Sequence, residues 1–81
     1  MSGEVITLKY PIEVAGEQIA SLNLRRPKVR DMLTADKTSG SEAEKEVAMF
    51  ANLCEVSRDA ILDLDGADYG QLQKAYAGFL S

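Results

Sequence analysis

Four cations stand within six residues at Arg25, Arg26, Lys28 and Arg30. A run of that density can grip a phosphate or an acidic partner segment, because the guanidinium fork matches both geometries. The competing reading is a solvated junction whose arginines pair with the chain's own acids, and Asp31 directly after Arg30 favours such local pairing. Carboxylates gather at Asp59, Asp63, Asp65 and Asp68, and Asp63, Asp65 and Gly66 reproduce a fragment of a calcium loop. The closing Glu of that loop is missing, so the spacing supports helix capping and surface charge instead. Nothing in the sequence marks any of these carboxylates as buried, as an acid–base pair would require. Cys54 shares an apolar stripe with Val47 and Phe50, the setting of a small buried hydrophobe, and no His is present to activate it. With no His and one Cys, neither a Cys/His zinc site nor a His-based nucleophilic triad can be assembled. The expectation is no catalytic residue, no metal and no cofactor.

The elements that must position these residues belong to a chain of 81 residues, long enough for one domain with one small core. A 46% hydrophobic and 27% charged composition is that of a folded globular domain. No apolar run approaches the ~20 residues of a membrane span. Met1–Ser2–Gly3–Glu4 opens no signal peptide, so neither membrane nor export is expected. The net charge of −4 is uneven: residues 1–30 carry five Lys/Arg against three Asp/Glu, residues 31–81 four against ten. An acidic chain is a poor general nucleic-acid binder, since phosphate affinity scales with the cations it can place. Composition therefore points to a binding or assembly module.

Residues 5–14 alternate, with Ile6, Leu8, Tyr10, Ile12 and Val14 on one parity, which predicts a half-buried strand with Pro11 at an edge or bend. Ala15–Gly16–Glu17 supplies a turn, and Ile19–Leu24 a second strand with Ala20, Leu22 and Leu24 facing one way. Pro27 at a first helical position, followed by Val29, Met32 and Leu33, predicts a short helix over 27–35. Residues 36–40 break the pattern. Ser41 with Glu44 is a capping box, opening a helix with Ala43, Val47, Phe50, Ala51 and Cys54 on one stripe. Ser57 caps a short turn carrying Ile61 and Leu62; Asp65, with Asp68 three positions on, caps a last helix with Tyr69, Leu72, Tyr76, Phe79 and Leu80 on one face. The fold class is α+β: one domain over residues 1–81, a β-hairpin over 1–26 followed by a helical part over 27–81 of about three helices.

At Tyr10–Pro11–Ile12, Gly16 and Leu24–Arg25–Arg26–Pro27 through Arg30–Asp31, the chain resembles the tail assembly chaperones of contractile-tailed, Mu-like bacteriophages. The likeness continues through Leu64, Ala67–Asp68–Tyr69, Leu72 and Phe79–Leu80, with Asn23 where a Thr is expected. The resemblance implies a non-enzymatic accessory factor of the host cytoplasm that binds the tape measure protein non-covalently before the tail tube encloses it. It also implies absence from the mature virion and a longer, frameshifted product sharing this domain. Tyr69, Tyr76 and Phe79 are the expected apolar contacts, with Arg25, Arg26 and Arg30 as structural or docking cations. A hairpin and a terminal apolar helix both call for cover, so a homo-oligomer is expected. Two other classes fit the sequence: a nucleic-acid-binding regulator using the Arg25–Arg30 cluster, and an acidic inhibitory protein that neutralises a toxin.

Overall fold

A computed structural model describes residues 3–81. Strands β1 (Gly3–Val14) and β2 (Glu17–Arg25) form an antiparallel hairpin, followed by helices α1 (Val29–Lys37), α2 (Glu42–Cys54), α3 (Arg58–Leu62) and α4 (Gly66–Leu80). This is the expected α+β order. The hairpin turns through Ala15 and Gly16, with φ of 53° and 82°. Two left-handed residues in succession give a turn whose twist matches that of the flanking strands. Gly16 adopts this φ freely, whereas Ala15 bears a steric cost of about 1 kcal/mol.

The hairpin is not a uniform ladder. Thr7 pairs with Ser21 and Ile12 with Ile19, so Leu8, Lys9, Tyr10 and Pro11 of β1 face only Ala20 of β2. This bulge holds Pro11, which has no N–H to give to a ladder. It has two consequences that strict alternation misses. Tyr10 is lifted out of the core to 49% exposure, although Ile6, Leu8 and Ile12 remain buried. The odd offset also switches the inward parity of β2: Leu22 and Leu24 are buried, Ala20 is exposed, and Ile19 is half-buried opposite Ile12.

Helix α1 begins two residues later than predicted. Lys28 is its N-cap, and Pro27 lies before the helix. The start is fixed by Asp31, whose carboxylate accepts the Lys28 backbone N–H at 2.8 Å. The break that follows is correspondingly shifted, since α1 runs to Lys37. The boxed start of α2 is as expected: Ser41 Oγ accepts from Glu44 N at 3.2 Å, and Glu44 Oε1 accepts from Ser41 N at 2.8 Å. Ser57 Oγ accepts from Ala60 N, and Asp65 Oδ1 from Ala67 N, opening α3 and α4.

The hydrophobic core is the space between the inner hairpin face and the helices. Leu24, Phe50, Leu53 and Leu72 are fully buried in it, with Ile61 at 2% exposure closing it from α3. None of the helices is long and apolar enough to cross a membrane, among the described residues.

Candidate functional site

Two buried aspartates organise the surface. Asp31 is 4% exposed and accepts both guanidinium nitrogens of Arg25, at 2.9 and 3.0 Å, together with Asn52 Nδ2 at 3.2 Å. The junction between β2 and α1 is thereby pinned to α2. The Arg25 hydrogen bonds hold the Asp31 carboxyl at a pKa of about 2; burial opposes them, while the Lys28 N–H and Asn52 add to them.

Asp68 is the second. It had read as a surface or capping residue, but it is fully buried. Its carboxylate accepts Lys9 N and Tyr10 N, both at 2.9 Å, and Gln71 Nε2 at 3.0 Å. The β1 amides without a strand partner in the bulge thus find their acceptor on α4. Burial pushes the Asp68 carboxyl up, but the Lys9 and Tyr10 N–H donors outweigh it and hold it below its usual range. Helical spacing carried the signal for this residue, because Asp68, Leu72 and Ala75 recur at i, i+4 and i+7, and all three are buried.

Both carboxylates therefore have folded-state pKa values below the unfolded reference of about 3.9. Such groups stabilise the fold above the unfolded pKa and lose that contribution as pH falls through the folded one. The urea midpoint is expected to be flat from pH 7 to about 5 and to drop steeply between about pH 4 and 2. Urea melts at fixed pH, followed by circular dichroism, check this; a midpoint unchanged at pH 2.5 contradicts it.

The expected contact residues fall into two groups. Phe50 lies edge-to-face between Tyr69 and Tyr76, with ring centroids 5.5 and 5.7 Å away, so the α4 tyrosines are brought together over α2. Tyr69 donates its hydroxyl to Glu46 Oε1 at 2.7 Å, and Gln73 Nε2 donates to the same oxygen at 3.0 Å. Burial, reinforced by Glu46, pushes the Tyr69 hydroxyl well above its ordinary pKa. Phe79 lies apart from this cluster, under the Arg26 guanidinium at 5.4 Å, and its carbonyl accepts from Arg26 Nη2 at 3.3 Å. The basic run is accordingly divided: Arg25 is committed to Asp31 and Arg26 to the end of α4, while Lys28 and Arg30 are exposed.

Next to the tyrosines lies a feature the sequence did not signal. Residues of α1, α2 and α4 enclose an open groove of about 300 Å³. Met32, Ala35, Met49 and Tyr76 supply its apolar surface, and Asp36, Glu42, Lys45 and Glu46 its charged surface. On the outer side of α1, Val29 and Leu33 are 71% and 57% exposed. Their spacing with Met32 predicted a helix here, and of the three only Met32 turns partly inward, with Asp31 tying α1 to Asn52 of α2.

Cys54 is buried, and burial pushes its thiol pKa up to about 11, which leaves little thiolate at neutral pH. Among the described residues, no three carboxylate or thiol side chains come together in a way that could hold a metal ion.

Neither a curated protein nor a solved structure matches the chain. A family model does, that of "phage tail assembly chaperone proteins, E, or 41 or 14", over residues 5–81. The match takes in all of the hairpin but its first two residues, both buried aspartates and helices α1 to α4, and the chain belongs to this family of phage tail assembly chaperones.

Proposed function

We propose that this chaperone binds the phage tape measure protein non-covalently and keeps it soluble while the tail is built, without catalysing a reaction. The observation that carries the reading is family membership across residues 5–81. A long helical protein with apolar segments aggregates when those segments are exposed, and covering them prevents it. The chain has the means: a groove of mixed apolar and charged lining beside exposed Val29 and Leu33, on a body whose negative charge is concentrated in residues 31–81. Contacts of modest strength suffice when several copies act along one target.

In this reading Tyr69, Tyr76 and Phe79 contribute the apolar contacts, and Arg25, Arg26 and Arg30 support or dock them. Tyr76 lines the groove and Arg30 is open to a partner, whereas Arg25 acts by holding the β2–α1 junction in shape and Arg26 by covering the half-buried Phe79 ring. The working form is a homo-oligomer in the host cytoplasm, accompanied by a longer frameshifted product carrying the same domain and left out of the mature virion.

Co-expression of the affinity-tagged chain with its cognate tape measure protein tests the proposal. The expected result is a recovered complex and a larger soluble fraction of the tape measure protein. Absence of both overturns it.

A further inference from the structure

We propose that the groove between α1, α2 and α4 seats a basic amphipathic helical segment of the partner. Resting on the reading above, this assigns the partner's apolar face to Met32 and Met49 and its cations to Asp36, Glu42 and Glu46. Three observations converge on that occupant. The apolar surface is built around two methionines, whose unbranched side chains adapt to whatever apolar residues are laid on them. It continues onto the exposed face of α1, because Val29 neighbours Met32 at i+3 and Leu33 neighbours Asp36 at i+3. The third is charge. The groove carries Asp36, Glu42 and Glu46 against Lys45 alone, and Lys45 lies 3.8 Å from Glu42.

A trough that sets methionines beside acidic side chains favours a helix whose apolar stripe is flanked by Lys or Arg and disfavours one flanked by acids. The cations Arg30 and Lys37 stand on the far flank of Val29 and Leu33 from the groove, so they do not cancel the acidic border. The stretch of α2 from Glu42 to Met49, eight residues, runs along the trough, about two helical turns of contact. That length matches a segment held weakly and repeatedly rather than one large rigid surface.

The test uses three synthetic peptides of about 18 residues. One carries Leu and Met on one helical face and Lys on the other; the second replaces every Lys by Glu; the third scrambles the Lys peptide so that its apolar face is lost. Binding to the full chain is read by fluorescence anisotropy. The Lys peptide is expected to bind at least about tenfold more tightly than either control. The exposed pair Asp36→Lys and Glu42→Lys reverses the border and should remove that preference while leaving the circular dichroism spectrum unchanged. Equal binding of the Lys and scrambled peptides, or unchanged binding by the double variant, overturns the proposal. So does a double variant that changes only the chain's own oligomeric state in sedimentation, which makes the groove a self-contact. Recovery of the tape measure protein by the double variant as well as by the natural chain rejects the groove but leaves the proposed function standing. Failure of the natural chain to recover it, with peptide preference intact, does the reverse.

Discussion

Asp68→Ala is expected to abolish the cooperative unfolding transition at 25 °C. The substitution removes the acceptor for the Lys9 and Tyr10 amides, which lie in the bulge where β2 offers them nothing. Each backbone N–H stranded in a poorly solvated position costs about 1–3 kcal/mol. A domain of this size draws only about 3–5 kcal/mol from its core. Two stranded amides therefore consume most of the available stability, before the space left under α4 is counted. Asp68→Asn separates charge from hydrogen bonding. It keeps one carboxamide oxygen for the amides but turns an NH2 group towards donors, so a weakened transition at a lower urea midpoint is expected. Urea titration followed at 222 nm distinguishes the variants, and an Asp68→Ala midpoint equal to that of the natural chain refutes the role assigned to the bulge contact.

Phe50→Ala should have the other large effect. Phe50 is fully buried, and its ring is the surface against which both Tyr69 and Tyr76 stand edge-on. Truncation of a buried Phe costs about 3–5 kcal/mol, combining lost transfer energy with the cavity left behind. Each aromatic pair lost adds to that penalty, since such pairs are worth about 0.5–1.5 kcal/mol beyond their area. Phe50→Leu, which fills much of the volume without a ring face, should retain a cooperative transition at a reduced midpoint. Because Tyr76 lines the groove and rests on Phe50, the Leu variant should also bind the Lys peptide more weakly than its residual stability would suggest. Peptide affinity unchanged in a folded Phe50→Leu protein argues that the tyrosines do not shape the groove.

The parts legible in the sequence were those encoded by near neighbours. The Ser41–Glu44 box, the Ser57 and Asp65 caps and the Gly16 turn each depend on residues at most three apart, and each stands where its spacing placed it. Alternation announced both strands, and the packing partners Val47, Phe50, Ala51 and Cys54 follow one helical period. Pro11 announced an edge or a bend in β1, but local pattern could not convey what satisfies the bulged amides. Their acceptor, Asp68, lies 58 and 59 residues from the amides it serves. The same limit applied to α1, where the apolar trio announced a helix but not its orientation, with Val29 and Leu33 outward and Asp31 tied to Arg25 and Asn52. Of the expected contact residues, the aromatics were legible as one stripe, but their division between a Phe50 cluster and an Arg26 contact was set by tertiary position.

The Asp68 contact also constrains the order in which the molecule can form. A hairpin normally closes within microseconds from local contacts. Here β1 keeps two amides unpaired until α4 docks against it. The first strand is thus completed by one of the last helices, and the step that finishes it must bring distant parts of the chain together, which is slow relative to local pairing. During synthesis from the N-terminus, the hairpin stays unfinished until residue 68 has left the ribosome. The first strand of this small domain is sealed from the far end of the chain, and the seal rests on a single carboxylate.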